Sequence, residues 1–420
     1  MRNLIINGGK ELRGELRTQG SKNAALPVLA ATVLCSSKVT LKNVPVISDR
    51  FAASRILSSL GAKISGISEL ITIDSSAVSS CGIDNELMRT MRSSIIFMGA
   101  LLGKTGRCTL SCPGGCDLGP RPIDMHLSAL RKMGAVITDE YGKINCSAPD
   151  GLTGCKISLS FPSVGATENI ILAAVLAKGE TVISNAAREP EICCLADFLR
   201  SCGAKIKGDG GGRIVIEGVE KLSQPEGETF SVIPDRIAAA TYLSCIACAG
   251  GELLLTDCCP SHLEAIIPVF EQMGLYIRCF GNNIYIHKKG RLKAVDTIRT
   301  MVYPGFPTDV QAIIMAPLCT AEGTTVFVEN IFENRYRHTT ALCRMGADIK
   351  AEGKVAVVTG VNHLCGTTAQ APDLRGGAAI ICAALGAYGT TEISGTEFID
   401  RGYKAIENCL SALGADIKRE

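Results

Sequence analysis

Six segments of the chain are apolar with almost no polar face: residues 23–34, 92–102, 167–177, 236–249, 309–321 and 374–387. Their length predicts helices, and the missing polar stripe predicts helices buried on all sides. After each comes a short turn and a run of alternating polarity, such as Lys38-Val39-Thr40-Leu41-Lys42 or Thr181-Val182-Ile183-Ser184. That period of two is the signature of a strand with one face in a core. A second helix-period stretch follows, for example residues 51–60 or 403–413, and ends on a phrase that recurs six times. The phrases are Leu60-Gly61-Ala62-Lys63-Ile64, Met133-Gly134-Ala135-Val136-Ile137, Cys202-Gly203-Ala204-Lys205-Ile206, Met273-Gly274-Leu275-Tyr276-Ile277, Met345-Gly346-Ala347-Asp348-Ile349 and Leu413-Gly414-Ala415-Asp416-Ile417.

A glycine just past a helix and just before a β-branched run reads as helix, left-handed cap, strand. The six glycines lie 73, 69, 71, 72 and 68 residues apart, a period too regular for chance. The repeating unit is therefore helix, strand, loop, helix, strand, strand. Six such units predict an α/β protein of two domains, three repeats in each, with sheets outside and buried helices within.

Composition changes this picture little. The 420 residues are 46% apolar and 20% charged, with 43 Lys+Arg against 41 Asp+Glu, so no global charge points to nucleic acid or an anionic membrane. The N-terminal stretch carries a short apolar strand and a Gly-Gly turn and no signal-peptide core. The longest nearly uncharged runs, 237–251 and 376–389, are too short to span a bilayer. A cytoplasmic location is expected. Of the 20 cysteines, Cys35, Cys245, Cys248, Cys319 and Cys382 sit in apolar segments and read as small hydrophobes. Cys193-Cys194 and Cys258-Cys259 match no zinc spacing, no His pair has metal spacing, and neither a metal nor a cofactor is expected.

The chemistry gathers at the starts of the buried helices. Ser21-Lys22-Asn23, Arg89 to Arg92, Gly165 to Thr167, Pro234-Asp235-Arg236, Pro307-Thr308-Asp309 and Pro372 to Arg375 are polar where the helices are not. Asp235 is expected to cap its helix. Lys22, Arg92, Arg236 and Arg375 are cations at the positive end of a helix dipole, unfavourable unless an anion sits between. Their recurrence predicts a cleft for a polyanionic ligand. Pro113-Gly114-Gly115-Cys116-Asp117-Leu118-Gly119-Pro120-Arg121-Pro122 adds a Gly- and Pro-rich loop presenting a thiol five residues before a guanidinium, a pairing that favours thiolate. Gly99 to Thr105 is one residue short of a P-loop and reads as a helix-ending turn, and 208–213 reads as a hairpin loop.

Read in order, Ser21-Lys22-Asn23-Ala24-Ala25, Pro113 to Cys116 with Arg121-Pro122-Ile123-Asp124, Ser163-Val164-Gly165-Ala166-Thr167, Ala187-Arg188-Glu189-Pro190-Glu191, Pro234-Asp235-Arg236, Phe306-Pro307-Thr308-Asp309, Phe332-Glu333-Asn334-Arg335, Asp373-Leu374-Arg375 and Asp400-Arg401-Gly402-Tyr403 span nearly the whole chain. This set resembles the enolpyruvyl transferase (EPSP synthase) family, in the branch that uses a nucleotide sugar. The resemblance implies a two-domain inside-out α/β barrel, with residues 22–232 as one domain and 1–21 plus 233–420 as the other, and an active site between them. It implies transfer of the enolpyruvyl group of phosphoenolpyruvate to the 3-hydroxyl of UDP-N-acetylglucosamine with release of phosphate, the first committed step of peptidoglycan synthesis.

The resemblance also implies roles. Lys22, Arg121 and Arg401 match phosphoenolpyruvate contacts. Asp124, Ser163, Val164 and Ile331 match nucleotide-sugar contacts, with Arg121, Pro122, Ile123 and Met125 in the same wall and Asn23, Arg92, Gly165, Asp373 and Arg375 elsewhere in the substrate site. Cys116 matches a proton donor that can also form a covalent phosphoenolpyruvate adduct and be alkylated by a phosphonate epoxide. Addition to the enol needs a base for the sugar hydroxyl, and Asp309 is the expected one, with capping of its helix as a compatible second job. Shikimate 3-phosphate as acceptor, a paralogue that senses nucleotide sugar, and a purely structural repeat protein are the alternatives.

Overall fold

The computed structural model describes residues 3–111, 123–140 and 142–420, and these fall into two compact units. One comprises the chain up to Gln19 together with Pro234–Glu420; the other comprises the described residues from Gly20 to Ile233.

All six repeat glycines have positive φ, from 91° to 105°. Each donates to the carbonyl three residues back, and the next residue donates to the carbonyl five back, as in Gly61 N to Ser58 O and Ala62 N to Leu57 O. These are the paired bonds of a Schellman cap, which satisfy carbonyls the helix leaves orphaned and turn the chain into its next strand.

The apolar helices form where the pattern placed them, shifted by a few residues. They are Lys22–Ala31, Phe97–Thr105, Val164–Ala174, Arg236–Ala249, Thr308–Leu318 and Leu374–Gly386. Residues 236–247 and 375–385 are buried without a break. Within the second unit, Phe97–Thr105 packs on Val164–Ala174 at Gly99, where a Cβ would fall 2.2 Å from the Asn169 carbonyl oxygen. In the first unit the last three buried helices pack on one another. Arg92 opens a 3-10 turn, Arg92–Ile96, instead of the helix itself. Residues 99–105 lie inside a helix that ends one residue later at Gly106, whose φ of 66° makes the left-handed cap.

Among the described residues six sheets accompany the helices, three per unit. In each, the strand after the buried helix pairs antiparallel with the repeat's last strand, which pairs antiparallel with the strand after the glycine. In the sixth, Leu4–Asn7 from the N-terminus takes the last-strand place beside Thr390–Ser394 and Asp416–Arg419. Alternating burial, as in Gly251–Thr256, turns one face of the sheets to the core.

The unit predicted from the sequence lacks one element. A parallel strand borders five of the sheets, and in four of them it is only two or three residues long, such as Lys156–Ser158 on Glu180–Ser184, Thr297–Arg299 on Thr324–Val328 and Thr368–Gln370 on Thr390–Ser394. Three residues are too few to carry a period-two signal. Leu12–Arg17 borders the sheet of Gly251–Thr256, while Phe230–Ser231 borders that of Lys38–Lys42, so each of these edge strands lies far in sequence from its sheet. No closed barrel forms among the described residues: helices lie within and separate sheets cover them. No helix among them is long and apolar enough to cross a membrane.

Candidate active site

A constellation of buried charged groups in the first unit surrounds Asp309. Pro307 precedes the helix Thr308–Leu318 and makes no side-chain cap bond, so Asp309 lies in the first turn and does not cap it. Its carboxylate is taken instead by two guanidiniums. Oδ1 accepts from Arg335 Nη2 at 2.7 Å and Oδ2 from Arg375 Nη2 at 3.1 Å. Both arginine side chains are almost fully buried, at 3% and 4% exposure, while that of Asp309 is 29% exposed. The carboxylate is thus held at the edge of a buried cationic wall with part of its surface open to a ligand.

Each member of the wall is built in from behind. Arg335 also donates to the Thr308 carbonyl. Buried Glu329 accepts from Thr300, Thr308, and the backbone of Ile331 and Phe332, fixing the turn that carries Ile331 against the start of the Asp309 helix. Asp373 caps its helix by accepting from Arg375 N and Gly376 N, which sets the first turn carrying Arg375. Burial disfavours charge on Arg375, but Asp309, Tyr403 and Asp235 together outweigh it and hold the guanidinium protonated. Asp235 caps the helix Arg236–Ala249, accepting from Ile237 N and Ala238 N. Arg401, two residues before buried Tyr403, is half-buried in the same unit.

In the second unit, Lys22 opens its helix and lies 3.2 Å from Oδ2 of Asp49, with side-chain exposures of 13% and 3%. Ser21 and Ser163 cap their helices by accepting from Ala24 N and Ala166 N. Asn23, Val164 and Gly165 are half-buried beside these caps, as are Ile123 and Met125, with Asp124 exposed. Asn169 organises the region from within. Its Oδ1 accepts from Gly99 N at 2.7 Å, so its amide nitrogen must face the Ile95 carbonyl at 3.1 Å and His126 Nδ1 at 2.8 Å. His126 Nδ1 is therefore an acceptor, and the ring carries its proton on Nε2.

Of the residues singled out in the sequence, the structure joins Asp309 to Arg375 and holds Asp373 at the same helix start. Lys22, Asn23, Ser163, Val164 and Gly165 all stand at helix starts of the other unit. Cys116, Arg121 and Pro122 lie outside the described residues, as does the side chain of Arg92. Two of the four cations expected at helix starts meet carboxylates of the protein itself, Asp49 for Lys22 and Asp309 for Arg375. Arg335, Glu329 and Asp49 were not among the residues assigned a role. Arg335 stood within a quoted motif, but nothing local in the sequence marks it as the partner of Asp309. No group of metal-ligating side chains occurs among the described residues.

One buried base gives the wall a pH signature. His338 is fully buried, with Nδ1 at 3.2 Å from the Arg335 carbonyl, so Nδ1 donates. Burial pushes its pKa down to about 4, with Arg335 adding to the fall and Asp373 opposing it. Between its ordinary value of 6.5 and about 4 the unfolded chain takes up a proton that the folded one refuses, so stability falls as pH drops through that window. Urea titrations at pH 7 and pH 4 are expected to show His338→Asn losing about 3 kcal/mol less than the parent between the two values. Equal losses would mean that His338 charges freely in the folded state.

Residues 6–410 match the family model described as EPSP synthase (3-phosphoshikimate 1-carboxyvinyltransferase). UDP-N-acetylglucosamine 1-carboxyvinyltransferase 2 of Caldanaerobacter subterraneus is 49% identical over 99% of this chain and 98% of its own. The UDP-N-acetylglucosamine 1-carboxyvinyltransferase of Solidesulfovibrio magneticus is 45% identical over the whole of both chains. Among solved structures, the enolpyruvyl transferase NikO from Streptomyces tendae superposes with a TM-score of 0.90 at 26% identity, covering 100% of this chain and 98% of that one. EPSP synthase from Acinetobacter baumannii shares the fold, with a TM-score of 0.74 at 20% identity over 100% of both chains. With a family match over nearly its full length and relatives at such identity, the chain belongs to the EPSP synthase family of enolpyruvyl transferases, among the UDP-N-acetylglucosamine 1-carboxyvinyltransferases.

Proposed function

We propose that the protein transfers the enolpyruvyl group of phosphoenolpyruvate to the 3-hydroxyl of UDP-N-acetylglucosamine and releases phosphate, the first committed step of peptidoglycan synthesis. The observation that carries the reading is Asp309 at the start of a buried helix, gripped by Arg335 and Arg375 yet partly open, a carboxylate placed to take a proton. The names of the 44–49% identical relatives support the acceptor.

In the addition step Asp309 removes the proton of the sugar hydroxyl as its oxygen bonds to C2 of the enol, and an acid protonates the methylene carbon. In the elimination step that carbon gives up a proton and phosphate leaves the tetrahedral ketal. Lys22, Arg121 and Arg401 hold the phosphate and carboxylate of phosphoenolpyruvate. Asn23, Arg92, Pro122, Ile123, Asp124, Met125, Ser163, Val164, Gly165 and Ile331 hold the nucleotide sugar, and Asp373 fixes Arg375 in the site. Cys116 is the acid, and the thiol that a phosphonate epoxide alkylates. Fixed cations do here what a metal would otherwise do, since a charge pair at 4 Å is worth roughly 4 kcal/mol at an effective dielectric of 20, before desolvation. The reaction runs without a cofactor in the cytoplasm.

A second reading follows from the description of the family model, which names 3-phosphoshikimate chemistry. A phosphate-release assay with each acceptor separates the two. Release with UDP-N-acetylglucosamine alone is expected, together with loss of most turnover and of epoxide labelling in Cys116→Ala. Release only with shikimate 3-phosphate overturns the acceptor, and full labelling of Cys116→Ala overturns the thiol assignment.

A further inference from the structure

Arg375, the second of the two cations on Asp309, has an anchor of its own that does not belong to the substrate site. Its Nη2 faces Asp309, while Nη1 points the other way and donates to the Tyr403 hydroxyl at 3.3 Å. The Tyr403 hydroxyl lies 2.8 Å from Thr241 Oγ1, and Thr241 Oγ1 lies 2.9 Å from the Ile237 carbonyl. Both side chains are buried, Thr241 at 0% and Tyr403 at 1% exposure.

Counting protons fixes the direction of every bond. A guanidinium can only donate, so the Tyr403 oxygen accepts from Arg375. A carbonyl can only accept, so the single Thr241 proton goes to Ile237. The Tyr403 proton then has one place left, Thr241 Oγ1. The result is a one-way chain, Arg375 to Tyr403 to Thr241 to the backbone of a buried helix, with each hydroxyl giving one hydrogen bond and taking one. Buried chains of this kind are strong when complete and costly when cut.

We propose that Tyr403 and Thr241 are positioning residues for the transfer reaction, aligning Arg375 so that its guanidinium holds Asp309 in the orientation that accepts the sugar proton. The proposal rests on the reading of Asp309 as the base. The helix Arg236–Ala249 thereby acts on chemistry at the start of two other helices, Thr308–Leu318 and Leu374–Gly386. The charged groups around the chain include Arg335 and Arg375 on Asp309, Glu329 through Thr308, Asp235 on Arg375 and Tyr403, and Asp373 beside His338.

The test is steady-state kinetics and the pH profile of kcat for Tyr403→Phe, Thr241→Val and Thr241→Ser, with Tm measured on each. Tyr403→Phe and Thr241→Val are expected to lower kcat by roughly ten- to a hundredfold, more than they change either KM. Both should also move the acid limb of the profile to higher pH, because a carboxylate that loses a fixed cation holds its proton more tightly. Thr241→Ser keeps the hydroxyl and should restore both. Should Tyr403→Phe fail to fold, the two Thr241 variants still decide the matter. Wild-type kcat and acid limb in Thr241→Val, or a serine variant no better than valine, overturns the positioning role. Asp309→Asn is measured alongside: near-normal turnover there sinks the base reading itself, whereas an inactive Asp309→Asn with an unaltered Thr241→Val sinks only the positioning chain.

Discussion

Asp309→Asn is expected to lower kcat by about 10²- to 10⁴-fold, the usual contribution of a positioned general base. The substitution keeps the shape and one oxygen of the side chain, so Arg335 at 2.7 Å can retain its acceptor while the proton-accepting charge is gone. The KM for both substrates should change much less, because the loss falls on the transition state. Two cations on one carboxylate make it a reluctant base. The exposed part of Asp309 must therefore gain from the substrate complex what the cations cost it, by exclusion of water and close approach of the hydroxyl. Single-turnover and steady-state rates should fall together. If only the steady-state rate falls, Asp309 governs product release; if neither does, another group takes the proton.

The architecture was legible because its punctuation is local. A glycine cap, a buried apolar run and an alternating strand each announce themselves within a dozen residues, and all six glycines adopt the positive φ that their place in the phrase demanded. What escaped was either very short or very distant. The bordering strands of two or three residues leave no periodic trace. Asp309 reads from the sequence as the base, with capping a compatible second job, yet the helix begins one residue earlier, Asp309 makes no cap, and its carboxylate turns to arginines 26 and 66 residues away. The Tyr403–Thr241 contact joins residues 162 apart. Helix starts can be read from the chain, but the identity of each side chain's partner depends on which repeats the fold sets side by side.

Lys22→Ala is expected to raise the KM for phosphoenolpyruvate by about 10²-fold, with a smaller fall in kcat at saturation and little change in the KM for UDP-N-acetylglucosamine. Lys22 presents an ammonium at the first turn of Lys22–Ala31, where the helix's own positive end adds to its field. Asp49, 3.2 Å away and almost fully buried, offsets that charge in the absence of ligand. On the proposed reading, an incoming phosphate or carboxylate competes with Asp49 for the ammonium, and only the difference appears as affinity. Asp49→Asn sharpens the test, because it removes the competitor while leaving the cation. Phosphoenolpyruvate should bind that variant no more weakly than the parent, even where its Tm drops from loss of the pair. Lys22→Arg should recover only part of the affinity, since a planar fork cannot reproduce a compact point charge between Asp49 and the ligand. A rise in the nucleotide-sugar KM with phosphoenolpyruvate unaffected would place Lys22 with the other substrate. Equal loss in Lys22→Ala and Asp49→Asn would mean that the pair serves the fold and that the anion is held elsewhere.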